Sequence, residues 1–510
     1  MCSKSLAAIA LLLAVGPCIV SADASQHILG IRPADRGRVD PVHAAVYASY
    51  APYDADLFTP VSDLHTISTE GYTTLTHPKF PRHSVRIKES QFCDGGVRSY
   101  TGYIDVEARH LFFYFFESRR DPDSDDVVFW TNGGPGGSSA LGLFMELGPC
   151  RVTGANSTER FEYAWNDQAN IFFVDQPVGV GFSYADYGEQ VSTTAEAAAD
   201  IAAFVAVFFE HFPKFKGRPF HMAGESYGGR YIPLFASALY DQNARLVEVG
   251  MDPVNLSSVM IGNGCTDDLT MSLSYYDVLC GSYGFPAIMS ISECVRLKQI
   301  VPRCAQRMQK SCKETLDYID CGAAYNYCED TFMAFMEHVN PYDALRPCTD
   351  NPDLSACYPI LGNITKFLNN PHVQSLLGVD PPAQNYTPIN MVLNGRFQRS
   401  GDFWSFPAEY YIAALLERGV RALIYVGATD WSCNWVGNER MTLALEWSSQ
   451  DAYRNAPLRE WRVDGEVAGK VRTGGGLTFA TIEGAGHMVP YDQPVRALEL
   501  ANRWLGRKEF

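Results

Sequence analysis

A serine between two glycines at the end of an apolar run constrains this chain more than any other feature: Phe220-His221-Met222-Ala223-Gly224-Glu225-Ser226-Tyr227-Gly228-Gly229. A serine at the tip of a tight strand-to-helix turn adopts a strained backbone, and small residues two positions either side, here Gly224 and Gly228, avoid clashes. On its own the motif equally describes a glycine-rich surface turn. What decides is whether a base, an acid and an oxyanion hole follow in workable order.

In the strand-elbow arrangement the order along the chain is Ser, then Asp or Glu, then His, each on a loop after a core strand. Of the 11 histidines only His338, His372 and His487 follow Ser226. His338 and His372 lie in polar segments, whereas His487 closes Phe479-Ala480-Thr481-Ile482-Glu483-Gly484-Ala485-Gly486-His487, an apolar strand entering a glycine-rich loop. Arg421-Ala422-Leu423-Ile424-Tyr425-Val426-Gly427-Ala428-Thr429-Asp430 is a buried-strand pattern ending in a carboxylate. His487 is therefore the expected base and Asp430 the acid that orients it.

An oxyanion hole needs backbone N–H groups that are free of secondary structure and converge on one point. Val127-Val128-Phe129-Trp130-Thr131-Asn132-Gly133-Gly134-Pro135-Gly136-Gly137 offers them directly after a strand, where a flexible linker does not normally stand. The N–H of Gly134 and that of Tyr227 are the expected pair.

Four segments now resemble the serine carboxypeptidases, carboxypeptidase Y type: Asn132-Gly133-Gly134-Pro135-Gly136, Gly224-Glu225-Ser226-Tyr227-Gly228-Gly229, Asp430-Trp431-Ser432-Cys433-Asn434-Trp435 and Gly486-His487-Met488-Val489-Pro490. The resemblance runs from about Tyr100 onward. It implies hydrolysis of C-terminal peptide bonds through an acyl-enzyme, with peptide and protein C-termini as partners and no cofactor or metal. It also implies a clamp for the substrate's terminal carboxylate, made of Asn132, Gly133 and Glu225 with Glu146 in support. Glu225 can donate a hydrogen bond to a carboxylate only when protonated, so peptidase activity is expected to be strongest at acid pH. Cys433 matches an unpaired thiol near the substrate side chain, but a buried inert thiol is the ordinary alternative. Met488 matches a site-lining residue, and core packing accounts for a methionine equally well.

Two rival functions remain at this point. An esterase or acyltransferase could use the same acyl-enzyme, although the Asn132, Gly133 and Glu225 clamp favours the peptidase. A catalytically silent binding protein would have no need of Ser226, Asp430 and His487 together.

Strands expected at 170–175, 219–223, 257–261, 422–426 and 479–482, with a helix at 195–209, indicate an α/β-hydrolase fold with a mostly parallel central sheet. A cysteine-rich stretch at about 265–390 interrupts the alternation and reads as an inserted cap. Residues 86–510 form the expected catalytic domain, and 23–85 a pro-segment or N-terminal extension. Residues 1–22 have the charge, apolar run and small-residue exit of a secretory signal, and the run is shorter than the roughly 20 residues of a membrane span.

Removing Cys2 and Cys18 with that signal leaves 12 of the 14 cysteines, and their spacing lacks zinc-type C-x-x-C pairs, so disulfides and a secreted or vacuolar destination are expected. The resemblance pairs Cys280 with Cys294, Cys304 with Cys328, Cys312 with Cys321 and Cys348 with Cys357. Cys93, Cys150 and Cys265 remain, for one further bridge and one odd thiol. Gly137 stands where the family's glycine loop carries cysteine, and residues 385–390 lack its partner, which leaves the rigidity of that loop open. Sequons at Asn156, Asn255, Asn363 and Asn385 permit glycosylation. A formal net charge of -17 argues against a nucleic-acid partner. Oligomeric state has no signature in the sequence.

Overall fold

The computed structural model describes residues 58–510 apart from 94–95, 187, 284, 286, 334–339, 349–356 and 405. The expected signal lies outside the described residues, as do residues 23–57 of the expected pro-segment or extension and His338.

Five mainly apolar runs, buried along nearly their whole length, become neighbouring strands. They are β5 (Asp126–Thr131), β8 (Ala169–Val174), β10 (Phe220–Glu225), β11 (Leu256–Gly262) and β12 (Arg421–Gly427), joined by β15 (Leu477–Ile482). Near-continuous burial is what a parallel strand covered on both faces requires. The order β8-β5-β10-β11-β12-β15 is parallel throughout. Antiparallel strands extend both edges. On one side stand β1 (Thr73–Thr76), β2 (His83–Glu89), β3 (Ser99–Val106) and β4 (Arg109–Phe116); on the other, β13 (Arg459–Val463) and β14 (Glu466–Gly474). Strand β1 and the first three residues of β2 fall before residue 86, so the sheet draws on residues from 73 onward. A hairpin of β6 (Cys150–Gly154) and β7 (Ser157–Arg160) stands apart, and the short β9 (Tyr184–Ala185) pairs with β4.

Alternation along β5 divides the core. Val127 and Phe129 join one buried cluster with Phe204, Phe208 and Tyr231, while Val128 and Trp130 join another with Leu500 and Trp504. Helix α1 (Thr194–His211) begins with a capping box of Thr193 and Glu196 and presents Ala and Phe to the sheet. It packs beside α2 (Gly228–Glu248), which starts directly after the elbow.

The expected insertion appears as helices between β11 and β12. These are α3 (Asp268–Leu279), α4 (Ile291–Met308), α5 (Tyr318–Met333), α6 (Ile360–Leu368), α7 (Pro371–Leu377), α8 (Met391–Arg399) and α9 (Ala408–Glu417). Beyond β12 lie α10 (Trp435–Ala444), α11 (Gln450–Arg454), α12 (Val489–Asp492) and α13 (Pro494–Leu505). A third apolar cluster, with Met271, Tyr275, Leu297, Met308 and Phe332, gives the insertion its own interior.

Among the described residues, six disulfides join twelve cysteines: the four pairs named above, Cys93–Cys150 and Cys265–Cys433. The last corrects the expectation of an unpaired Cys433 and an odd thiol, because the turn after β11 and the loop after β12 bring two cysteines far apart in sequence to a Cα–Cα distance of 5.1 Å. The sequon residues Asn156, Asn255 and Asn385 are exposed and Asn363 is half-buried.

Candidate active site

Parallel strands deliver their carboxyl ends to one edge of the sheet, where ligands of open α/β sheets bind. β5 ends before Asn132, β10 before Ser226, β11 before Asn263, β12 before Asp430 and β15 before His487. Chain topology thus gathers residues that the sequence spreads over more than three hundred positions.

Ser226 holds φ +59°, the left-handed conformation of a strained elbow. Its N–H donates to the Gly262 carbonyl at 3.0 Å, and its carbonyl accepts the Cys265 N–H at 3.0 Å. Gly224 is required, since a Cβ there would lie 2.8 Å from the Thr131 carbonyl oxygen. Gly228 is not the crowded partner expected from the motif: its nearest neighbour would be 3.7 Å from a Cβ, whereas one on Gly229 would meet Thr266 Oγ1 at 2.5 Å.

His487 Nδ1 lies 2.8 Å from Asp430 Oδ2, both side chains being buried. Asp430 is held from three further directions: Asn263 Nδ2 donates to the same Oδ2 at 2.7 Å, and the N–H groups of Ser432 and Cys433 donate to Oδ1 at 2.9 and 3.3 Å. The insertion grips both loops. The Tyr342 carbonyl accepts the His487 N–H at 2.7 Å, and the Ala344 N–H donates to the Thr429 carbonyl at 2.9 Å. A Cβ on Gly486 would stand 2.4 Å from that same Tyr342 oxygen, so the His487 loop can approach only as glycine.

The glycine loop meets the elbow at equally close range. A Cβ on Gly133 would lie 2.4 Å from the Tyr227 nitrogen and 2.9 Å from Ser226 Cβ. Among the described residues, neither the Gly134 nor the Tyr227 N–H donates to a backbone acceptor. Hydrogen bonds stiffen the loop, which has Gly137 where the resemblance led to the expectation of a bridging cysteine. Gly137 and Ile389 form an isolated antiparallel pair, the Ser138 N–H donates to Pro388 O at 2.9 Å, and the Asn390 N–H donates to Gly136 O at 2.9 Å. Buried Asp175 fixes the other side, accepting from Ser138 Oγ at 2.7 Å and the Ser139 N–H at 2.8 Å.

Beside the elbow stands a buried carboxyl pair. Asn132 Oδ1 accepts from Trp130 Nε1 at 2.8 Å and the Gly142 N–H at 3.0 Å, which turns Nδ2 toward Glu225 Oε1 at 2.8 Å and Glu146 Oε1 at 3.3 Å. Burial raises the Glu146 carboxyl to about 7. Burial, and then the neighbouring Glu146 charge, push Glu225 well above the ordinary carboxylate range. Two buried carboxyls in contact hold a proton between them, because both cannot ionise at once. Cys433 is buried and disulfide-bonded, and Met488 packs with Val489 in the second core cluster.

Sequence reasoning passed over Asp175 and Asn263. The strand-end position of Asn263, two residues after an apolar run, is the same cue that identified Asp430.

Residues 91–507 match the family model described as serine carboxypeptidase. Carboxypeptidase Y homolog A of Fusarium vanettenii is 42% identical over 418 residues, covering 81% of this chain and 75% of the relative. The Aspergillus niger protein of that name is 40% identical over 445 residues, covering 85% and 77%. Among solved structures, Kex1(delta)p, a prohormone-processing carboxypeptidase from Saccharomyces cerevisiae, superposes with a TM-score of 0.70 at 23% identity, over 82% of this chain and 95% of that one, which supports the shared fold. Strand-end residues in hydrolase order, a buried carboxyl pair beside the elbow and this extent of similarity lead to one conclusion: the chain belongs to the serine carboxypeptidase family.

Proposed function

We propose that this serine-type carboxypeptidase uses Ser226 as nucleophile, His487 as base and acid, and Asp430 as the group that orients the imidazole. Ser226 Oγ attacks the last peptide carbonyl while His487 takes its proton, and the oxyanion is met by the N–H groups of Gly134 and Tyr227. His487 returns the proton to the departing amine, leaving an acyl-enzyme that water hydrolyses by the reverse sequence. Asn132, Gly133 and Glu225, with Glu146 behind them, hold the terminal carboxylate of peptide and protein C-termini. Cys433 lends its backbone N–H to Asp430 rather than a thiol to the pocket, and Met488 lines the site beside His487.

The observation that carries this reading is the Glu225–Glu146–Asn132 cluster. A protonated carboxyl beside the nucleophile is a donor suited to a substrate that ends in a carboxylate. Because Glu225 keeps its proton above the ordinary range, binding of the free acid weakens as the pH rises, and peptidase activity is favoured in acid. Transit through the secretory pathway to an extracellular or vacuolar site fits the leader-like residues 1–22, the six disulfides and the exposed sequons. Residues 23 to about 72, ahead of the first strand of the sheet, fit a pro-segment or extension.

The test compares kcat/KM for a blocked dipeptide bearing a free C-terminal carboxylate with that for its amide between pH 4 and 8. A preference for the free acid that fades toward pH 8 is expected. Equal handling of both, or cleavage of esters alone, overturns the carboxylate clamp. Ser226→Ala is expected to abolish hydrolysis.

A further inference from the structure

The Tyr227 side chain is anchored at its far end, away from the elbow. Its hydroxyl donates to Asp402 Oδ2 at 2.8 Å. The same carboxylate accepts Thr194 Oγ1 on Oδ2 at 2.6 Å and the Thr194 N–H on Oδ1 at 2.9 Å, at the first residue of α1. Asp402, Tyr227 and Thr194 are all buried, with relative exposures of 1%, 3% and 0%. Phe403 and Tyr231 pack against the ring, tilted and T-shaped, at centroid distances of 4.8 and 5.2 Å. Burial raises the Asp402 carboxyl above its ordinary value, and Arg230, in the first turn of α2 and itself buried, offsets part of that shift.

The backbone carbonyls on either side are bonded, Ser226 O accepting the Cys265 and Gly229 N–H groups at 3.0 and 2.9 Å and Tyr227 O accepting those of Arg230 and Tyr231 at 2.9 and 3.1 Å, while the Tyr227 N–H between them donates to no backbone acceptor among the described residues. Tyr227 is the cap residue of α2 (φ -60°, ψ -11°) and makes no side-chain capping bond. The phenol that Asp402 grips thus belongs to the residue whose N–H follows the nucleophile. A phenol held at its hydroxyl restrains the direction of its own Cα–Cβ bond, and so adds to the Ser226 carbonyl bonds in limiting how the Tyr227 N–H can turn.

We propose that Asp402 is a positioning residue of the oxyanion hole, which by gripping the Tyr227 hydroxyl aims the Tyr227 N–H at the oxygen that becomes charged. The inference rests on the reading of Tyr227 N–H as an oxyanion donor given under Proposed function. A donor aimed by its scaffold acts on the tetrahedral state far more than on bound substrate, so its misalignment lowers kcat and spares KM.

The experiment compares Tyr227→Phe, Asp402→Asn and Thr194→Val with the wild type. It measures kcat and KM on the free-acid dipeptide, affinity for a peptide aldehyde, inhibition by the carboxylate product, and Tm. With the aldehyde, a bond forms between Ser226 Oγ and the carbonyl carbon, the C=O π pair becomes the oxyanion, and the serine proton passes to His487. Tyr227→Phe and Asp402→Asn are expected to lose about tenfold in kcat and in aldehyde affinity together, with KM and product inhibition changed by less than about twofold. Thr194→Val removes a buried hydroxyl from Asp402 but leaves the grip on Tyr227, so it is expected to lower Tm and keep kcat. Wild-type kcat and aldehyde affinity in Tyr227→Phe overturn the inference, as does a loss of kcat in Thr194→Val as large as in Tyr227→Phe. An aldehyde that fails to bind the wild type overturns the oxyanion reading itself, and this inference with it.

Discussion

Asn263 Nδ2 donates at 2.7 Å to Asp430 Oδ2, the same oxygen that faces His487 Nδ1 at 2.8 Å. The amide cannot rotate freely, because its Oδ1 accepts the Gly427 N–H at 3.3 Å. Asn263 therefore sets where the carboxylate stands, and the carboxylate sets the imidazole. Asn263→Ala is expected to lower kcat by up to about 10²-fold with KM nearly unchanged, since small displacements of a catalytic group are that costly. Steady-state kinetics at saturating substrate check this. An unchanged kcat removes Asn263 from the positioning of Asp430.

Glu225→Gln separates the need for a proton from the need for a donor. Glutamine donates at every pH, so the loss of free-acid hydrolysis on raising the pH is expected to flatten, with the effect in KM. The pH profile of kcat/KM provides the check, and a variant that retains the wild-type decline assigns that decline to another group.

Stability should follow the buried carboxyls. Burial lifts Glu146 to about 7 and Asp175 to about 6, against 4.5 and 3.8 for exposed groups. Over that interval the folded protein retains protons that the unfolded chain has released, so folding stability falls with rising pH. It is full below about pH 4 and is lost progressively as pH passes through the folded values near 6 to 7. Tm is expected to be higher at pH 5 than at pH 7.5, and Glu146→Gln is expected to reduce the difference. A Tm that rises over this interval contradicts the assignment of these groups.

The Cys265–Cys433 bridge changes what thiol reagents do. The folded enzyme is expected to resist mercurials, because Cys433 is bonded and 1% exposed. Cys265→Ser frees the Cys433 thiol three residues from Asp430, and that variant is expected to become mercurial-sensitive. Stoichiometric inhibition of the untreated wild type shows the bridge to be absent.

Gly133→Ala tests the close approach of the glycine loop. A methyl group 2.4 Å from the Tyr227 nitrogen forces the loop off the elbow. Losing an oxyanion donor costs roughly 10²- to 10³-fold in kcat, and a loss of that order is expected in single-turnover acylation. Activity near wild type shows that the elbow can yield.

The sequence by itself determined the elements and the family. Apolar runs ending in Asn132, Ser226, Asp430 and His487 carry their own signal, because a buried parallel strand must be apolar along its whole length and a reactive side chain must leave it at the carboxyl end. Tertiary structure alone decided who meets whom. That Asn263 shares an oxygen with His487, that Cys265 reaches Cys433, and that Asp402 holds Tyr227 depends on strand order and on the path of the insertion. The glycine loop shows the same division: the missing cysteine at Gly137 was legible, while the backbone pairing with Ile389 that replaces it was not. The physical reason is one of range. Burial periodicity and turn chemistry act over a few neighbouring residues, whereas hydrogen bonds and disulfides between distant loops exist only after the sheet has brought the strand ends together.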